Sequence, residues 1–123
     1  MNEFVAYLLE TFEQFGRVSA RRMFGGHGLF HEGLMFGLVT SDTLYLKADD
    51  QNRAHFEALG LEPFHYRKGE KLMTIAYWQA PDHILEDREE AAQWARHAFA
   101  AALRADAAKA PGKRKHDPGA WRR

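Results

Sequence analysis

The stretch Leu34-Met35-Phe36-Gly37-Leu38-Val39, followed after Thr40-Ser41-Asp42 by Thr43-Leu44-Tyr45-Leu46-Lys47, decides the fold of this chain. Both runs are short and rich in aliphatic and aromatic residues, and the Ser-Asp between them reads as a hairpin turn. Leu29-Phe30, separated from Leu34 by His31-Glu32-Gly33, adds another strand. Connections this short force antiparallel pairing, because a parallel crossover needs a much longer link.

On the N-terminal side, residues 18–23 read as a strand that meets Gly25-Gly26-His27-Gly28, a cluster expected to break any regular element. Residues 50–59 turn helical, with Phe56 and Leu59 three apart and Gly60 as a stop. Two further strands are expected at 62–66 and 72–78, on either side of Arg67-Lys68-Gly69-Glu70. The ends are helical. In residues 2–16, Phe4, Tyr7, Leu8, Phe12 and Phe15 recur at steps of three and four, and Gly16 marks a stop. Asp87-Arg88-Glu89-Glu90 is a capping box, and Ala91, Trp94, Ala95, Ala98, Phe99, Ala102 and Leu103 then trace one stripe. That helix fades near Ala108, before Pro111-Gly112. The order α-β-β-β-α-β-β-α does not alternate strand with helix, so the expected class is α+β: a single domain, residues 1–108, in which helices pack on a mostly antiparallel sheet.

Composition narrows the function. The 123 residues are 46% hydrophobic and 28% charged, ordinary globular usage that argues against fibrous and disordered classes. No run is long and apolar enough to span a bilayer, and the acidic start Met1-Asn2-Glu3 is unlike a signal peptide, so a soluble cytoplasmic protein with no membrane partner is expected. With no cysteine, disulfides and thiolate chemistry are out. The net charge of zero hides an asymmetry: residues 109–123 hold six cations and one acid, whereas residues 1–108 hold eleven cations and sixteen acids. Lys113, Arg114, Lys115, Trp121, Arg122 and Arg123 thus make a basic tail with an aromatic tip, expected to be disordered, that could bind nucleic acid by counterion release and stacking.

Little here points to catalysis. The glycines lead into a strand rather than a helix, so they suit a tight turn or close backbone approach better than a phosphate cradle. The seven histidines show no ligand spacing; His27 and His31 on one strand would stand roughly 13 Å apart. Ser19 and Ser41 are the only serines and neither lies in a nucleophile turn. No enzyme, cofactor or metal is therefore expected, although a small-molecule or metal site near His27 or His65 stays open as an alternative. Arg21-Arg22 is more informative: neighbours on a strand point to opposite faces, so one arginine is expected to turn inward and brace the glycine turn. Arg21, Arg22, Gly25, Gly26, His27 and Gly28 form the candidate partner-binding surface. An open sheet with an unpaired edge also leaves homodimerisation open.

Arg22-Met23-Phe24-Gly25-Gly26-His27-Gly28-Leu29-Phe30, with Gly33-Leu34-Met35-Phe36 and Leu44-Tyr45-Leu46-Lys47-Ala48-Asp49, resembles the N-terminal domain of the TfoX/Sxy family of bacterial competence regulators. The likeness covers residues 3–106, including the 73–78 strand and the last helix with Trp94-Ala95. It implies the same α+β order, and a non-enzymatic role in transcriptional regulation through contacts with the transcription machinery. Full-length members add a helical C-terminal domain and are thought to act with the cyclic-AMP receptor protein. Here the expected companion of the N-terminal domain is instead the basic tail.

Overall fold

The computed structural model describes residues 2–23, 25–109 and 111–113. Helix α1 (Glu3–Thr11) leads into β1 (Ser19–Met23), β2 (Gly26–His31), β3 (Leu34–Thr40) and β4 (Thr43–Lys47). Then come α2 (Arg53–Glu57), β5 (Pro63–Lys68), β6 (Lys71–Gln79), a 3-10 helix at Asp82–Glu86 and the long α3 (Arg88–Ala107). A 3-10 turn at Pro111–Lys113 ends the described chain. All six strands form one sheet in the order β1-β2-β3-β4-β6-β5, and every pairing is antiparallel. The α+β class and antiparallel sheet are as the sequence predicts. None of these helices is long and apolar enough to cross a membrane.

Two details differ from the expectation. The first half holds four strands where the order α-β-β-β counts three; the run at 18–23, read as a strand, is one of them and pairs with β2 as a full ladder from Ser19↔Phe30 to Met23↔Gly26. The glycine cluster does follow the end of β1 at Met23, but it does not keep the chain irregular, since β2 begins at Gly26. Glycine's poor strand propensity is overridden because β2 is hydrogen-bonded on both sides, to β1 and to β3.

One face of the sheet packs on the helices. Val5 and Leu8 of α1, Phe12 just past its end, and Leu29, Phe36, Val39 and Leu46 of the strands are all buried, and each such side chain contributes about 2 kcal/mol of transfer free energy. Phe36 and Val39 both join this core, although strict alternation would set them on opposite faces. The register explains it: Leu29 pairs with Gly37 but Phe30 pairs with Met35, so Phe36 is an extra residue, a β-bulge. Helix α3 lies on β3 and β4 through Ala91, Ala95, Ala98 and Ala102, and these small residues let the helix backbone come close to the sheet. Trp94, on its flank, meets Phe56 of α2 edge-on at 5.0 Å.

The N-terminus of α3 uses half of its capping box. Asp87 accepts from the Glu90 amide at 3.1 Å. Glu90 does not reach back; its carboxylate accepts instead from His83 Nε2 at 2.7 Å and from Trp94 Nε1 at 3.4 Å. Arg88 pairs with Glu13, and the Tyr7 hydroxyl donates to the Leu85 carbonyl, so α1 is tied to the entry of α3.

Candidate partner-binding surface

The β1–β2 turn is built on three glycines, each for a different physical reason. Gly25 sits in the turn at φ +75°, where an L side chain is strained. A Cβ on Gly26 would overlap the Val39 carbonyl oxygen of β3, so β2 approaches β3 more closely than any side chain permits. A Cβ on Gly28 would meet the thioether sulfurs of Met23 and Met35 at 2.6 and 3.0 Å and the Phe30 ring at 2.9 Å. The cluster therefore serves a tight turn and close backbone approach, and it runs into a strand with no helix N-terminus to cradle a phosphate.

The arginines do point to opposite faces, but neither turns inward: both are exposed, because β1 is the outer strand of the sheet. Arg21, opposite Gly28, lays its guanidinium 4.2 Å over the Phe30 ring on the helix-free face. Arg22, opposite His27, makes no ion pair among the described residues. It borders an open depression of about 810 Å³ with Asn2, Gly26, His27, Ser41 and Asp42. The six candidate residues thus split between two sides of the sheet: Arg21 and Gly28 on one, Arg22 and His27 on the other, with Gly25 and Gly26 shaping the turn. Of the candidate tail, Lys113 ends the last 3-10 turn; Arg114, Lys115, Trp121, Arg122 and Arg123 lie outside the described residues.

His31, His55 and His97 are held by ordinary contacts. His31 Nδ1 lies 2.7 Å from the Arg17 carbonyl oxygen, and its ring packs between Phe15 and Phe99 at 4.5 and 4.8 Å. His55 and His97 stack at 5.4 Å beside Asn52 in a small pocket of about 190 Å³. Among the described residues no three His, Asp or Glu side chains gather to hold a metal.

Sequence reasoning assigned no role to Lys47-Ala48-Asp49, and the structure gives it one. Arg104 of α3 grips Asp49 with two bonds, Nε to Oδ2 at 2.6 Å and Nη2 to Oδ1 at 2.9 Å. Asp49 also accepts from the Gln51 and Asn52 amides at 3.0 and 3.3 Å. Arg104's hydrogen bonds hold the Asp49 carboxyl below the usual carboxylate range. Asn52, buried, accepts from the Asp49 amide at 2.7 Å and donates to the Lys47 carbonyl at 3.0 Å. The segment after β4 is thereby latched to α3. The Asp-x-x-Asn turn was a readable signal; its arginine partner, 55 residues away, was not. On the helix-free face Lys47 lies 5.1 Å over the Tyr77 ring, and the Tyr77 hydroxyl donates to the Met35 carbonyl at 3.2 Å. Burial pushes the Tyr77 phenol up to about 12. Burial first, and then the Lys109 charge, lower the Lys47 ammonium from its ordinary value.

Comparison with known proteins assigns the fold a family. A family model for the TfoX N-terminal domain matches residues 10–102. The chain is 39% identical over 82 residues to the DNA transformation protein TfoX1 of Aliivibrio fischeri, an alignment covering 63% of this chain and 39% of that protein. It is 35% identical over 72 residues to the DNA transformation protein TfoX of Haemophilus influenzae, covering 57% of this chain and 33% of that protein. The match thus spans well under half the length of either relative. The family match covers most of the chain, and the chain belongs to the TfoX N-terminal domain family.

Proposed function

We propose that this chain is a non-enzymatic regulatory domain that acts in the cytoplasm, in competence-type transcriptional control, through protein contacts. The observation that carries the reading is the family match over residues 10–102, reinforced by two relatives named as DNA transformation proteins. The contact surface we assign to the exposed end of the sheet around Arg21, Arg22 and the Gly25–Gly28 turn, where Arg22 stands beside an open depression with no ion-pair partner among the described residues. Affinity capture with the full chain from native cytoplasm tests this. Recovery of RNA polymerase or a transcription factor, lost in Arg22→Ala while the melting temperature holds within a few degrees, is the expected result. Unfolding of Arg22→Ala would make the arginine structural, and recovery of nothing from the transcription machinery would refute the reading.

A second reading rests on the six cations of residues 109–123. It predicts nucleic-acid binding that weakens steeply with salt and disappears when Lys113, Arg114, Lys115, Arg122 and Arg123 are replaced by glutamine. Retained binding in that variant would sink it.

A further inference from the structure

The helices of the described chain pack on one side of the sheet, so the other side is finished by strand side chains. The register sets Arg21, Gly28, Leu38, Tyr45 and Gln79 in one row across it, with Lys47 opposite Tyr77 in the next. Met23, Met35, Tyr45, Phe64, Met73 and Ile75 remain partly exposed there. Between Arg21, Met23, Phe30, Met35, Lys47 and Tyr77 lies a groove of about 220 Å³, closed at one end by α3.

Charge on this side has one sign. Residues 1–108 carry sixteen acids, yet among the described residues none lies in any of the six strands. Arg21, Lys47, Lys68 and Lys71 do lie in strands, and the pairings Lys68↔Lys71 and Tyr66↔Met73 place all four on this face. Asp106, the one acid at the groove, is 2% exposed and stands 3.9 Å from Lys109.

These facts discriminate between occupants. A second copy would bring the same cations against themselves, and residues 109–123 are also net positive. Bases would need open ring faces, but at the groove Phe30 and Tyr77 are covered by Arg21 and Lys47, and Tyr45 meets Phe64 at 5.0 Å; the exposed ring of Tyr66, opposite Met73, lies outside the groove's lining. What remains open at the groove is chiefly the thioether surface of Met23 and Met35, which adapts readily to an apolar helix stripe. We propose that the helix-free face, centred on the groove between Arg21 and Lys47, docks an acidic amphipathic helix of a partner protein. This inference rests on the protein-contact reading above and names the chemistry of the partner.

The test uses two fluorescent peptides of about 20 residues with the same leucine and phenylalanine stripe, one carrying glutamates elsewhere and one carrying lysines. Fluorescence anisotropy is read with the full chain at low and high salt. The glutamate peptide is expected to bind with a Kd on the order of 10 µM, at least about tenfold tighter than the lysine peptide, and to weaken as salt rises. Arg21→Glu, an exposed change, should cost about tenfold in affinity, with Lys47→Gln as the second variant. No binding of the glutamate peptide, equal binding of both peptides, or affinity unchanged in both variants overturns the proposal. So does tighter binding of a DNA duplex that is lost with Arg21→Glu, or a dimer in sedimentation that Arg21→Glu dissociates. A chain that captures transcription machinery yet ignores the acidic peptide refutes the groove alone. One that binds the peptide and captures none refutes the regulatory reading alone.

Discussion

Replacing Gly26 by alanine is the sharpest test of the turn. The new Cβ would overlap the Val39 carbonyl oxygen and stand 3.2 Å from its carbon and 3.3 Å from the Thr40 Cα. These are backbone atoms of a central strand, paired on its other side with β4, so they cannot swing aside as a side-chain tip would. Restoring a tolerable C···O separation of about 3.3 Å requires β2 and β3 to part by roughly 1 Å, at the cost of ladder bonds. Overpacking of rigid atoms costs about 3 kcal/mol, and the entropic benefit of alanine in the unfolded chain returns less than about 1 kcal/mol. For a chain of this length a loss of about 2–3 kcal/mol lowers the melting temperature by roughly 10 °C. Neighbouring glycines are the controls. Gly25→Ala meets open space but keeps φ +75°, which costs about 1–2 kcal/mol. Gly28→Ala presses on Met23 and Met35, whose thioether ends yield, and costs about 1 kcal/mol. Thermal melts of the three variants followed by circular dichroism decide the matter. A Gly26→Ala melt equal to the parent's, or a Gly28→Ala loss larger than that of Gly26→Ala, would refute the close-approach argument.

Three further outcomes follow from the polar contacts. A double-mutant cycle of Asp49→Ala and Arg104→Ala should give a coupling of about 1 kcal/mol, modest because both side chains are about a third exposed. Since Asp49's carboxyl is lowered in the folded state, its contribution is present above the ordinary value of 3.8 and disappears as pH falls below it, so urea midpoints of Asp49→Ala and parent should converge in acid. Tyr77 has the opposite sign: raised from 10.0 to about 12, it lends stability in full below pH 10 that is lost as pH climbs through 12, up to about 2 kcal/mol, and Tyr77→Phe should flatten that alkaline decline. Lys47, lowered by burial, has its charged form disfavoured on folding at neutral pH, so Lys47→Met should leave the urea midpoint at pH 7 unchanged or higher; a marked drop would show that its cation–π contact with Tyr77 outweighs the burial.

Local signals were legible and long-range ones were not. Ser41 and Asp42 mark the β3–β4 hairpin and adopt positive φ there, and Asp87 with the alanine stripe locates α3. Helix α1 proved shorter than its apolar pattern, ending at Thr11, whose hydroxyl bonds back to the Tyr7 carbonyl. Phe15 continued the spacing for a different reason: it packs beside Phe36 and Phe99 from a turn. The 3-10 helix at Asp82–Glu86 is too short to leave a period, although Ile84 is buried in the core. At the candidate surface, alternation on β1 predicted that Arg21 and Arg22 diverge. Only the strand order shows that β1 is outermost and that neither arginine is enclosed.

That strand order also governs how molecules meet one another. Both outermost strands are basic, β1 through Arg21 and Arg22 and β5 through Arg67 and Lys68. Edge-to-edge joining would set two basic strands about 4.8 Å apart, a like-charge contact that guards against ribbon growth. The guard is electrostatic, so its strength is set by the ionic medium: it stands highest at low salt and is screened as ionic strength rises.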